Sequence, residues 1–126
     1  MASILLLENN GYYRQRLKNI LETKLRLEVC AETDNAPSAL RLFREKRPQI
    51  CIINLMLPIV SGFDFIKNAQ KTDPNSALIL LSNLYSRYIM EQAMRAGARD
   101  IVIKPFSDEE IISVITHHLE HTDENS

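Results

Sequence analysis

The stretch Ile50-Cys51-Ile52-Ile53-Asn54-Leu55-Met56-Leu57-Pro58-Ile59-Val60-Ser61-Gly62 decides how this chain folds. Its first four residues are apolar without alternation. A strand with one wet face alternates, so an unbroken apolar run belongs to a strand buried on both faces, as in a parallel sheet. Asn54 closes the run, and Ser61 is placed to cap the helix that follows. Working outward, Ile4–Leu7 and Ala77–Leu81 are also apolar at every position. Strands are predicted at Ser3–Leu7, Leu27–Glu32, Ile50–Asn54, Ala77–Ser82 and Asp100–Lys104. The second of these partly alternates, which suits an edge strand.

The segments between carry helical spacing. Leu17, Ile20, Leu21 and Leu25 fall at i, i+3, i+4 and i+8, and Ile111, Ile112, Ile115 and Leu119 form a similar stripe near the carboxyl end. Asn35 is a cap for the second helix with Pro37 tolerated in its first turn, Ser107 and Glu110 form a capping box, and Gly97 ends the fourth helix. Strands alternating with helices predict an α/β fold with a parallel sheet covered on both sides. Sites in such sheets form at the carboxyl ends of the strands. Glu8, Asn9, Asn54, Ser82 and Lys104 occupy those ends and are the functional candidates.

Composition narrows the function further. The chain has 126 residues, 45% of them hydrophobic and 25% charged, with a net charge of −1. That is one domain, read here as residues 1–121, followed by a polar stretch 122–126 that is a tail or the start of a linker. The charge balance gives no footprint for nucleic acid or an anionic membrane. The apolar runs are too short to span a bilayer, and Met1-Ala2-Ser3 lacks the basic flank of a signal peptide. Cys30 and Cys51 lie in strand-like runs and are read as buried free thiols, in keeping with a reducing cytoplasm.

Four pieces of sequence, in order and each at a strand end, carry a family resemblance. They are Ile4-Leu5-Leu6-Leu7-Glu8-Asn9, Asn54-Leu55-Met56-Leu57-Pro58 with Ser61-Gly62, Ile79-Leu80-Leu81-Ser82, and Ala96 through Phe106 with its Lys104-Pro105-Phe106 end. Together they resemble the receiver domain of bacterial response regulators in two-component and phosphorelay signalling, over nearly the whole chain. The resemblance implies a flavodoxin-like, doubly wound five-stranded sheet in the order 2-1-3-4-5 with five helices, and a cis bond before Pro105. It also implies roles: Glu8 and Asn9 stand at the acidic pair, Asn54 at the phosphoacceptor, Ser82 at the hydroxyl switch, Ile101 at the aromatic switch, and Lys104 at the lysine.

Three of those positions depart from the family's pattern. Asn9 replaces a metal-binding carboxylate, and Asn54 replaces the acceptor aspartate. A carboxamide is neutral and a poor nucleophile. Only Glu8 and the Met56 backbone carbonyl remain of the metal site, so no metal is assigned and Mg²⁺ binding is expected to be weak or absent. Ile101 offers no ring to report movement of the switch. Lys104 is expected to pair with Glu8, because an unpaired buried charge is costly, while Asn54 and Ser82 complete hydrogen bonds.

Other polar clusters are read more plainly. His117 and His121 stand at i, i+4 without a third ligand, and His118 has no evident partner, so all three are expected on a solvated face. Tyr12, Tyr13, Arg14 and Arg16 are read as a solvated helix start, and Tyr85, Arg87 and Tyr88 as the start of the fourth helix. Arg87, Arg95, Arg99, Asp100, Asp108 and Glu109 lie on or near the surface that the family uses for dimerisation, the fourth helix, fifth strand and fifth helix. Mixed signs there suit a two-fold contact. Val114 stands about where regulators with winged-helix outputs carry a basic residue.

The sequence therefore predicts a pseudo-receiver. This would be a binding module and not an enzyme, with no cofactor, whose partners are proteins such as a histidine kinase or an output domain. Two other readings are a phosphorelay receiver modified at a non-standard residue such as Glu8 or Asp64, and an ordinary receiver silenced by an engineered Asp-to-Asn change. A different flavodoxin-like enzyme is disfavoured because Glu8-Asn9-Asn10-Gly11 is not a glycine-rich phosphate loop.

Overall fold

A computed structural model describes residues 2–122, with the side chains of residues 121 and 122 excepted. The elements run β1 (Ser3–Leu7), α1 (Gly11–Asn19), β2 (Glu28–Thr33), α2 (Ala36–Lys46), β3 (Ile50–Asn54), α3 (Gly62–Thr72), β4 (Ala77–Ser82), α4 (Arg87–Ala96), β5 (Asp100–Ile103) and α5 (Asp108–Thr122). All five strands are parallel and ordered β2-β1-β3-β4-β5, so the reversal of strand order falls beside β1 and β3. Of the expected polar tail, residues 122–126, Thr122 instead ends α5 and the rest lies outside the described residues, as does the His121 side chain.

The unbroken apolar runs have a direct structural reason. Alternate residues of each central strand feed two separate cores. Leu5, Leu7, Cys51, Ile53, Leu78 and Leu80 pack with Phe43, Phe65, Ile66 and Ala69 under α2, α3 and α4. Ile4, Leu6, Ile50, Ile52, Ile79 and Leu81 pack with Leu17, Ile20, Leu21, Ile111 and Ile115 under α1 and α5. β2 is half-wet, as its alternation implied, and Cys30 on it is therefore only half-buried where full burial was expected. Burial raises the Cys30 thiol pKa and pushes that of Cys51, in the sheet centre, well above its ordinary value.

The caps sit where the sequence placed them. Asn35 Oδ1 accepts from Ser38 N at 2.9 Å, Ser61 Oγ from Asp64 N at 3.3 Å, and Ser107 Oγ from Glu110 N at 3.1 Å. Gly97 ends α4 at φ +122°, where a side chain is strained, and a Cβ would also stand 2.5 Å from Gln70 Cγ. Several boundaries differ from the predicted ones. α1 does not simply end at Asn19 but widens into a π-helical turn, Ile20–Lys24, closed by Leu25 N donating to Ile20 O at 3.1 Å. Leu27 N then donates to Leu21 O at 2.9 Å, which holds Leu27 out of the sheet and starts β2 at Glu28. β5 ends at Ile103, one residue before Lys104. Tyr85 precedes the Ser86 cap and so lies in the β4–α4 loop.

Candidate functional site

The carboxyl ends of β1, β3 and β5 bring Glu8, Asn54 and Lys104 together. Glu8 is fully buried, and the Lys104 side chain is 8% exposed. Lys104 Nζ forms an ion pair with Glu8 Oε1 and donates to Asn54 Oδ1 at 3.1 Å. It also lies 4.3 Å from the centroid of the Tyr13 ring, a cation–π contact. The other Glu8 oxygen, Oε2, accepts from Asn10 N at 2.9 Å. An ammonium has three donors and a carboxylate only acceptors, so this geometry supplies both buried charges from within the chain.

Asn54 completes the knot. Its Nδ2 donates to Asn9 Oδ1 at 2.7 Å and to Met56 O at 3.1 Å, while its Oδ1 receives Lys104. The residue is buried, and among the described residues no buried side-chain polar atom lacks a hydrogen-bond partner. Gly62 fixes how closely α3 approaches this point. A Cβ there would stand 2.6 Å from Asn54 O, so only glycine lets the helix start lie against the strand end.

Ser82 is also buried but belongs to a different arrangement. Its hydroxyl donates to Leu84 O at 2.6 Å and accepts from Leu84 N at 2.9 Å, tying the β4–α4 loop and making no hydrogen bond to Asn54 or Lys104. Ile101 is half-buried against the α2–α3–α4 core. The Lys104–Pro105 peptide is cis. Glu8 is sealed, whereas Asp64, the other residue considered for modification, is exposed in the first turn of α3 beside Ser61.

Two sequence expectations fail here. The first turns of α1 are not merely a solvated helix start. Arg14 donates to Glu8 O at 2.8 Å and pairs with Glu32 at 3.4 Å. Arg16 donates to Phe106 O at 2.7 Å and to Asp108 Oδ1 at 2.9 Å, and lies over the Phe106 ring at 4.7 Å. Tyr13 packs on Phe106 at 5.5 Å. Helix α1 thus clamps the loop that carries Lys104. The signal for this was long-range and could not be read from one segment. Secondly, His118 is buried and lies 3.1 Å from Asp100 Oδ2. It follows Ile111 at i+7 and Ile115 at i+3, so the core stripe includes it; that spacing was available in the sequence.

The charges expected on the dimerisation surface are largely engaged within the chain. Asp108 bridges Arg16 and Lys24, Arg99 donates to Pro74 O at 2.9 Å, Asp100 contacts His118, and Arg87 pairs with Glu91 at 3.1 Å. The hydrogen bonds from Lys24 and then Arg16 hold the Asp108 carboxyl below its ordinary pKa. Around the pocket itself lies a shallow cavity of about 520 Å³, with Asn9, Asn10, Asn83, Met56 and Leu84 among its walls. No described helix is long and apolar enough to cross a membrane.

Comparison with known proteins agrees with this architecture. The sequence pattern of the response regulator receiver domain matches residues 4–116. The chain is 30% identical to the chemotaxis protein CheY of Thermotoga maritima over 112 residues, covering 89% of this chain and 92% of the relative. It is 27% identical to the chemotaxis protein CheY of Bacillus subtilis, over 92% of this chain and 96% of the relative. Among solved structures, a CheY-like receiver domain protein from Methanospirillum hungatei superposes with a TM-score of 0.93 at 20% identity, covering 100% of this chain and 99% of that one.

Proposed function

This chain belongs to the response regulator receiver domain family, and we propose that it acts in two-component signalling as a phosphorylation-independent protein-interaction module. The observation that carries this reading is the closed knot of Lys104, Glu8, Asn54 and Asn9. A phosphoacceptor needs a nucleophilic oxygen with a divalent cation to neutralise the incoming phosphoryl oxygens. Asn54 presents a carboxamide whose Nδ2 hydrogens and Oδ1 are already engaged. Glu8 is the lone carboxylate, with each oxygen taken by a donor of the chain. Those donors do not fit Mg²⁺, which favours an octahedron of oxygen ligands including carboxylates.

In this reading the chain is not an enzyme, holds no cofactor and works in the cytoplasm. Its partners are proteins, a sensor kinase or an output protein, met without aspartyl phosphate. Self-association through α4, β5 and α5 belongs to the same proposal. Exposed Tyr88, Met90 and Met94 on α4 support it better than salt bridges, since most of the charges of that region are engaged within the chain.

The test is an NMR titration with beryllofluoride and Mg²⁺, and in parallel intact-mass analysis after acetyl phosphate with Mg²⁺. Unchanged amide signals at Asn54 and Ser82 and no added mass are expected. Saturable shifts at those residues at modest concentration, or a phosphate adduct, would overturn the reading.

A further inference from the structure

Helices α2 and α3 are neighbours on one face of the sheet, and as crossovers between parallel strands they run in the same direction. Between them opens a cavity of about 270 Å³, lined by the apolar Ala36, Pro37, Leu40, Val60 and Phe65 and by Asn68. Asn68 is exposed, and its carboxamide makes no hydrogen bond among the described residues. It can therefore pair with a peptide main chain, which matches its donor and acceptor. None of these residues belongs to the Lys104–Glu8–Asn54 network.

Helical spacing carries the groove one turn further toward the carboxyl ends of both helices. Arg44 follows Leu40 at i+4 and Pro37 at i+7 on α2, and Lys71 follows Asn68 at i+3 on α3. Both cations are exposed, and neither forms an ion pair or a side-chain hydrogen bond among the described residues. A cation in the last turn offsets the helix dipole, which explains either residue alone. It does not explain why both stand at one end of an apolar groove. At the other end the exposed Asp64 precedes Asn68 by one turn, so the groove runs from acidic through apolar to basic. Arg41 and Glu45, also on α2, pair with each other at 3.9 Å.

We propose that the α2–α3 groove docks an acidic polypeptide segment of a partner protein. One apolar side chain of that segment sits against Leu40 and Phe65, and a carboxylate one or two residues away meets Arg44 and Lys71. Size and charge complementarity select this occupant. The cavity lies just below the roughly 300–1,000 Å³ of small-molecule sites and suits a single side chain. A helical turn rises about 5.4 Å and an extended residue spans about 3.3 Å, so a carboxylate one or two residues from the anchor reaches the cations. A nucleic acid would bring phosphates against Asp64 and an apolar floor, where they lose hydration without a counter-charge. The proposal goes beyond the phosphorylation-independent reading and does not need it, because Asn54 takes no part.

A phage-displayed random peptide library tests it, selected on the immobilised domain and counter-selected on the Arg44→Glu variant. The expected consensus is one large apolar residue with Asp or Glu within a few positions. A synthetic peptide of that consensus should shift the amide signals of Leu40, Phe65 and Asn68. Arg44→Glu should weaken its binding by about tenfold and Lys71→Glu by about threefold, while Arg44→Lys keeps most of the affinity. Arg95→Glu, the same charge change on α4, should leave binding unaltered. All three positions are exposed, so the variants are compatible with folding. No enrichment over an unrelated protein, a basic or uncharged consensus, shifts confined to another face, or equal binding by Arg44→Glu would overturn the proposal. Shifts at Leu40 and Asn68 that grow with protein concentration alone would also overturn it, since a second copy would then fill the groove. A phosphate adduct at the pocket changes none of these outcomes, so the two readings fail separately.

Discussion

The floor and the rim of one pocket are built on opposite terms. On the floor, Lys104, Glu8 and Asn54 are buried and satisfy one another. At the rim, Met56 and Leu84 line the same cavity and are exposed, as is Ile59 farther along the β3–α3 loop. The floor's polar atoms are held by a network in which each group answers another's unmet hydrogen bond or charge. The rim's apolar groups contribute little to the folded domain and remain available.

The largest effect is expected from breaking the floor. Lys104→Met leaves the buried Glu8 carboxylate without its counter-charge, and should cost about 3–5 kcal/mol of stability in chemical denaturation. Loss of less than about 1 kcal/mol would show that the floor is looser than its geometry. Asn54→Asp comes next. It removes the donor to Asn9 Oδ1 and Met56 O and sets acceptor against acceptor, so about 1–3 kcal/mol should be lost at neutral pH. The same variant should gain no Mg²⁺-dependent phosphate by intact mass, because Asn9 still leaves the metal position short of a carboxylate.

At the rim the sign reverses. Ile59→Asn places a residue that tolerates φ > 0 where isoleucine is strained, and should raise stability by about 1 kcal/mol in the same denaturation series. A stability loss would mean that Ile59 packs within the chain after all.

The smallest effect concerns Asp108, outside both regions in the α1–α5 clamp. Its folded pKa lies below the ordinary value, through hydrogen bonds from Lys24 and Arg16. The unfolded state therefore binds its proton more readily. The stabilisation is present above the ordinary carboxylate range and disappears as pH falls through the lowered folded value. Asp108→Asn should lower stability by a constant amount above the carboxylate range and flatten the acid limb of the stability–pH profile, leaving the slope of the alkaline limb unchanged.

Much of the fold was legible because each element carries its own local pattern. The apolar runs at Ile4–Leu7, Ile50–Ile53 and Ala77–Leu81 marked strands buried on both faces, and Asn35, Ser61, Ser107 and Gly97 marked helix ends. The strand order, which the family resemblance implied, is the order observed. The π-helical turn at Ile20–Lys24 was not legible. Its widened hydrogen bonding lets Leu27 bond back to Leu21, a compromise between helix and strand entry that neither segment specifies alone.

The candidate site divides in the same way. The sequence placed Glu8, Asn54 and Lys104 at strand ends and required a partner for a buried lysine. It could not show that Tyr13 lies over that lysine, or that Ser82 turns to Leu84 and leaves Asn54 to Asn9. His118 was misplaced because its polarity was weighed above its i+7 spacing from Ile111.

By itself the sequence determined the parallel α/β sheet, the residues at its carboxyl edge, and the absence of a carboxylate at positions 9 and 54. These follow from hydrophobic period and residue chemistry, which are local. Only the tertiary structure decided that the pocket's charges cancel internally, that α1 clamps the Lys104 loop, and that Ser82 ties the β4–α4 loop instead of joining Asn54. Those facts depend on which residues distant in sequence meet, and five strand ends become neighbours only when the sheet has formed.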